Sequence, residues 1–320
     1  MRNITEVSQR VLQETEKIIV GKTDKIRLII MAVLADGHVL LDDLPGVGKT
    51  TLVKTLAIAL GCDSRRVQFV PDLLPSDICG MKIYNQKTGD FQVMQGPVMT
   101  NLLLADEINR AIPRTQSALL EAMEERQVTI DGETASLPRP FLVLATQNPV
   151  ESESTFRLPA AQMDRFLIRL SLGYPAADEE TRMLRTLGDS IPFDQVKTVT
   201  NAAELTDLQR QAADIYVSDA VADYIISLVQ ATRQHPSLSM GASPRGSRSL
   251  YRAAKVWAAM EGRDYVTPDD VQFLAQSVLA HRLLLTGEAR FSGTTAESVV
   301  SDIVSDLAVP PKTEELFRGR

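Results

Sequence analysis

Residues 38–51 read His-Val-Leu-Leu-Asp-Asp-Leu-Pro-Gly-Val-Gly-Lys-Thr-Thr, an apolar strand running into a glycine-rich turn and then a Lys-Thr helix start. The spacing is that of a phosphate-binding loop. A glycine turn can aim successive backbone N–H groups at phosphate oxygens, and the helix N-terminus behind it adds partial positive charge. Pro45, Gly46, Val47, Gly48, Lys49, Thr50 and Thr51 are therefore expected to cradle a nucleoside triphosphate, with Lys49 on the β- and γ-phosphates and Thr50 on a bridging Mg2+. The pattern Gly-x4-Gly-Lys-Ser/Thr is met except at its first position, where Asp43 replaces glycine. Aspartate tolerates left-handed backbone angles better than most residues, so the turn can survive. Its anionic side chain is expected to point away from the phosphates.

Outward from this loop the chain alternates strands and helices. Helical periodicity covers Val7 to Val20, ending at Gly21, and Asp24 to Ala35, which leads into a strand over His38 to Asp42. Short β-type runs recur at Arg66 to Val70, Leu102 to Ala105, Phe141 to Thr146 and Leu167 to Leu172. Between them lie helical stretches such as Thr51 to Leu60 and Arg114 to Glu125. That alternation predicts an α/β fold with a doubly wound parallel sheet. Two hairpin inserts interrupt it: Lys82 to Asn85 and Phe91 to Met94 flank a turn at Thr88-Gly89, and Gln127 to Ile130 precedes Asp131-Gly132.

After Gly173-Tyr174-Pro175 the strand pattern stops. The expected division is an α/β domain over 1–175, an all-α domain over 176–309 and a flexible tail over 310–320. Ser218-Asp219 before Ala220, Ser247 before Leu250, and Thr267-Pro268 are read as helix starts, and Thr294 or Thr295 begins a last helix through Leu307.

With 320 residues, 44% of them hydrophobic, the chain can build two cores. A net charge of −7 argues against nucleic-acid binding through a broad basic surface. The apolar stretch Ile26 to Leu34 contains Arg27 and is far shorter than the roughly 20 residues of a bilayer span, so no membrane insertion is expected. The start, Met1 to Glu6, lacks the pattern of a secretory leader, so a cytoplasmic location is expected. Cys62, Cys79, His38, His235 and His281 are too scattered for a metal site.

A second chemical feature accompanies the loop. Leu102 to Ala105 is an apolar strand followed by Asp106 and Glu107, and strand alternation is expected to send the two carboxylates in different directions. Asp106 can serve Mg2+, and Glu107 can orient and polarise an attacking water. A glutamate aimed at water favours hydrolysis over transfer to another substrate. The strand Phe141 to Thr146 runs into Gln147-Asn148-Pro149, whose amides would stand at the ligand-binding edge of such a sheet; Asn148 is preferred to Gln147 for contact with the γ-phosphate or the water.

Together these stretches resemble the AAA+ ATPases, and within them the MoxR family. The resemblance rests on 44–50, on Ala-Asp-Glu-Ile-Asn-Arg-Ala (105–111), on Arg-Thr-Gln-Ser-Ala-Leu-Leu-Glu-Ala-Met-Glu-Glu (114–125), on Ala-Thr-Gln-Asn-Pro (145–149) and on Leu-Pro-Ala-Ala-Gln-Met-Asp-Arg-Phe (158–166). It implies an AAA+ core with a helical lid, ATP/ADP and Mg2+ as ligands, and a homo-hexameric ring. It also implies client proteins, sometimes carrying von Willebrand factor A domains, that the ATPase remodels, matures or activates. Val20-Gly21 would border the adenine, and Asn148 would be the sensor of nucleotide state. Arg165 would reach into the neighbouring subunit's site, with Arg157 a weaker candidate in the same loop. Arg245, in Gly241-Ala242-Ser243-Pro244-Arg245, would be the second sensor, leaving Arg248 and Arg252 on the solvent side. The hairpins would face a pore, where Tyr84, Phe91, Met94 and Met99 offer apolar contacts. The alternatives are a nucleic-acid motor, which needs basic hairpins, a slow nucleotide-dependent switch, and a small-molecule kinase. Lys82 and Lys87 are offset by Asp90, Asp131 and Glu133, and Glu107 with Arg165 suits turnover better than a switch. A kinase would need an acceptor-site motif, which the sequence lacks.

Overall fold

The structure, a computed structural model, describes residues 3–43, 46–147, 156–187 and 191–310. In chain order the first elements are α1 (Ile4–Glu16), α2 (Thr23–Leu34), β1 (His38–Asp42), α3 (Lys49–Leu60), β2 (Ser64–Gln68), α4 (Pro75–Cys79), β3 (Gly80–Asn85), β4 (Asp90–Gln95) and β5 (Leu102–Asp106). They are followed by α5 (Pro113–Glu125), β6 (Gln127–Ile130), β7 (Glu133–Ser136), β8 (Leu142–Gln147), α6 (Ala160–Met163), β9 (Phe166–Leu170), α7 (Ala177–Leu187) and α8 (Ala202–Ala213). The last are α9 (Asp219–Gln234), β10 (Leu238–Met240), α10 (Pro244–Met260), α11 (Pro268–Leu279), β11 (Leu284–Leu285), α12 (Gly287–Phe291) and α13 (Ala296–Asp306).

Two compact units result. One comprises Arg10–Leu158 with Leu170–Thr206, the other Met1–Gln9, Pro159–Arg169 and Asp207–Arg320. This division interleaves where the sequence suggested a single break at 175/176. Segment 170–206 stays with the α/β unit because, for instance, the Val199 N–H donates to Ala59 O at the end of α3, 2.8 Å away. Segment 159–169 joins the helical unit because Arg282 donates to the carbonyls of Phe166 and Leu167.

The first unit is built on the strands β2, β5, β8 and β1, neighbours in that order. The pairs β2 with β5, β5 with β8 and β1 with β8 are parallel, with Gln68 opposite Asp106 and Leu41 opposite Thr146. Leu102–Asp106 is buried along its whole length, as expected of a strand covered on both faces. From β1 the chain crosses to the far edge at β2 and returns by β5 to β8 beside β1. The carboxyl ends of these parallel strands share one edge, where doubly wound sheets bind ligands. Two antiparallel ribbons, β3 with β4 and β6 with β7, extend this unit as the turn signals predict; Asp131 and Gly132 both take left-handed angles, φ 48° and 84°. Met99 lies beyond the end of β4, outside the ribbon to which the sequence reading assigned it.

The second unit is mainly helical. Ser218, Thr267 and Thr295 cap α9, α11 and α13 as read from sequence, each accepting from a backbone N–H in the first turn. Helix α10 starts four residues earlier than Ser247 suggests, because Ser243 is the cap and Pro244 occupies the first turn. The short antiparallel pair β10 and β11 departs from an all-α reading. Strands of two and three residues are too brief to show a period-2 pattern. Among the described residues no helix is long and apolar enough to cross a membrane.

Candidate nucleotide site

The loop after β1 has the backbone a phosphate needs. Gly46 and Gly48 both sit at φ 84°, where a side chain would be strained, and a Cβ on either would meet no atom within 4 Å. The space beside the turn is therefore open. Gly48 is the N-cap of α3 and supplies no side chain to its first N–H groups, which suits them to an anionic ligand. Lys49 is buried and its Nζ donates to Asp43 O at 3.2 Å, while Thr50 is exposed and Thr51 half-buried on the same first turn. Pro45 lies outside the described residues, as does Asn148.

Asp43, the anomaly of the motif, has a structural task. Its buried carboxylate accepts from Ser171 Oγ at 2.8 Å, from the Leu172 N–H at 2.8 Å and from the Gly173 N–H at 3.0 Å. The negative charge is spent on the chain end of β9, and the main-chain oxygen of Asp43 accepts from Lys49. Val20 is buried, and Gly21 is left-handed at φ 74° with the Glu179 carboxylate where a Cβ would stand. Lys22 fixes the neighbourhood by donating to Tyr174 O at 3.0 Å.

Asp106 and Glu107 diverge for a reason other than strand alternation. β5 ends at Asp106, and Glu107 leaves it in a left-handed conformation, φ 56° and ψ 50°. A non-glycine residue held there costs of order 1 kcal/mol or more, a strain common at functional positions. Buried Thr146, at the end of β8, locks the turn: it donates to Asp106 Oδ1 at 2.6 Å and accepts the Glu107 N–H at 2.8 Å. Both carboxylates are then met from β2. Arg66 donates to Asp106 Oδ2 at 2.7 Å, Gln68 donates to Glu107 Oε2 at 2.7 Å, and Arg110 reaches the same Oε2 at 3.1 Å. Sequence reading missed Thr146, Arg66, Gln68 and Arg110. The alternate spacing of Arg66 and Gln68 was a signal, but using it requires knowing that β2 lies beside β5.

Arg165 and Arg245 belong to the other unit, and Arg157 to the α/β unit. Arg165 is half-buried and follows Asp164, the C-cap of α6; Arg157 is exposed in the preceding segment. Arg245 is exposed on the first turn of α10, and Arg248 and Arg252 are exposed further along it. Asp164 forms a buried pair with Arg282 at 2.8 Å. Burial lowers the Arg282 pKa to about 10 against the pull of Asp164, with Arg252 and Arg245 adding repulsion.

Comparison with known proteins points to one family. Residues 38–168 match the model of the ATPase family associated with various cellular activities (AAA), and 230–303 match the AAA lid domain. YeaC of Bacillus subtilis is 50% identical over 301 residues, 94% of both chains. Chaperone MoxR1 of Mycobacterium tuberculosis is 43% identical over 94% of this chain and 82% of its own. A crystal structure from Cytophaga hutchinsonii superposes with a TM-score of 0.90 at 38% identity, covering 96% of each chain. With relatives of this identity along nearly its whole length, and both AAA models matched, the chain belongs to the MoxR family of AAA+ ATPases.

Proposed function

We propose that this ATPase hydrolyses ATP with Mg2+ in a homo-hexameric ring and uses the cycle to remodel, mature or activate partner proteins. Thr50 and Asp106 would hold Mg2+, which neutralises phosphate charge when bound. Lys49 and the loop N–H groups bind and orient the phosphates, and Glu107 takes a proton from the attacking water. Arg165 completes the neighbouring subunit's site, and Arg245 reports on the γ-phosphate. Partners with von Willebrand factor A domains are the client class that the family suggests, and the cytoplasm is where ATP would be met.

The observation that carries the remodelling reading is the ribbon β3–β4, on which Met81, Ile83, Tyr84, Phe91, Val93 and Met94 are all exposed. Apolar residues exposed on a ribbon suit transient contact with another polypeptide. A nucleic-acid motor is disfavoured, because Lys82 is paired with Glu133 at 2.6 Å and the ribbon has little basic charge to offer. The test is ATPase activity per protomer across a concentration series, for the native chain and Arg165→Ala. A rise with concentration that the variant lacks supports shared sites; a flat line common to both would sink the ring and favour a nucleotide switch.

A further inference from the structure

Within the helical unit one carboxylate touches the supports of both candidate arginines. Asp164 Oδ1 accepts from Arg282 Nε at 2.8 Å, and Oδ2 accepts from Ser243 Oγ at 2.7 Å. Ser243 is the N-cap of α10, and its hydroxyl oxygen in turn accepts the Arg245 N–H at 3.1 Å. A continuous relay therefore runs from the residue before Arg165 to the backbone of Arg245. Arg282 anchors the other end. It is almost fully buried and donates to Asp164 O, to Phe166 O at 2.6 Å, to Leu167 O at 3.3 Å and to Ser249 Oγ on α10 at 3.1 Å. Arg165 is thus bracketed by neighbours whose carbonyls share one guanidinium.

Arg282 is buried and the Asp164 carboxylate largely so, and polar groups placed there are costly unless their partners are kept, so the ion pair at the centre of the cluster resists loosening. We propose that Asp164 is a positioning residue that couples Arg165 to Arg245 through Ser243 and Arg282, so that the two arginines keep a fixed relation through the nucleotide cycle. The proposal rests on the reading of Arg165 and Arg245 given above. In that reading the arginine offered to a neighbour and the arginine that senses γ-phosphate belong to one rigid piece. Loss of γ-phosphate contact in one site then displaces the arginine serving the next.

The test uses full-length chains in mixing experiments. Arg165→Ala protomers lack the trans arginine, and Glu107→Gln protomers keep it but do not turn over at their own site. Mixing the two should restore ATP hydrolysis; no restoration overturns the trans role of Arg165 and leaves nothing for Asp164 to position. With restoration in hand, the donor is changed to Glu107→Gln carrying Asp164→Asn, or Glu107→Gln carrying Ser243→Ala, which leaves the ion pair intact. The expected result is at least a tenfold smaller restored kcat, with the dissociation constant for a fluorescent ADP analogue within twofold and unchanged assembly mass. Full restoration by the Ser243→Ala donor overturns the relay, whether or not the Asp164→Asn chain folds. In otherwise native chains each substitution should lower kcat about tenfold and the pair together also about tenfold; a hundredfold loss would mean independent sites and would overturn the coupling.

Discussion

Gln68 Nε2 donates to Glu107 Oε2 across 2.7 Å, so the carboxylate assigned to activating water is already engaged by the end of the neighbouring strand. A water drawn to Oε2 must share that oxygen with Gln68 and Arg110. Gln68→Leu is expected to raise kcat about two- to tenfold, the worth of one ordinary hydrogen bond, with KM for ATP unchanged. Steady-state kinetics decide it: a fall in kcat would show that Gln68 aims the carboxylate productively.

Lys49 and Glu107 should separate binding from turnover. Lys49→Ala removes the cation beside the phosphate loop and is expected to abolish nucleotide binding. Glu107→Gln keeps shape and loses the base, so binding stays while turnover drops roughly 10²- to 10⁴-fold. Calorimetric titration with ATP alongside phosphate release distinguishes the two. Equal turnover by the glutamine variant would remove Glu107 from its role.

Asp43→Gly would restore the usual first glycine of the loop pattern, yet it should harm the protein. The Leu172 and Gly173 N–H groups would lose a charged acceptor in a buried place. The expected loss is about 2–4 kcal/mol in urea unfolding, with no gain in nucleotide affinity. An unchanged midpoint would mean that water replaces the carboxylate without cost.

His281 is buried with Nε2 3.2 Å from Phe166 O. Burial, and then the adjacent Arg282 charge, hold its pKa well below 6.5. The unfolded chain therefore takes up a proton below about pH 6.5 that the folded chain refuses. Stability from this group is complete above that pH and declines on acidification by up to about 1.4 kcal/mol per pH unit. Denaturation curves from pH 7 to 5 should show that component in the native chain and lack it in His281→Gln.

Cys62 is held by burial, and secondarily by the charge of Asp63, at a pKa of about 11. Burial and Glu121 also raise Cys79. At pH 8 the thiolate fraction of Cys62 is about two orders of magnitude below that of an ordinary thiol. Iodoacetamide should label it slowly in the folded protein and rapidly in denaturant. Rapid labelling of the native chain would contradict the half-buried placement of the thiol.

The strand over His38 to Asp42, the carboxylate strand, both ribbons and most helix caps could be read from local pattern, because each depends on residues adjacent in sequence. The partners of the carboxylates could not. Arg66 and Gln68 act only through the pairing of β2 with β5, and Thr146 only because β8 lies next to β5. The divergence of Asp106 and Glu107 was expected on the wrong ground, since alternation ends with the strand and a left-handed turn takes over. The start of α10 was misplaced because Ser247 and Ser243 are equally plausible caps until Pro244 is weighed.

The six outward apolar side chains of β3 and β4 also set a limit on how the chain behaves in bulk. A ribbon of this kind, on a protomer that has nothing to hold, is a seed for strand-to-strand association between molecules. Lys87 in its turn and Asp90 at the start of β4 are exposed charges that discourage like ribbons from zipping together. Colloidal shelf life should therefore track these two tip residues and the salt concentration, and owe little to how firmly the core is folded.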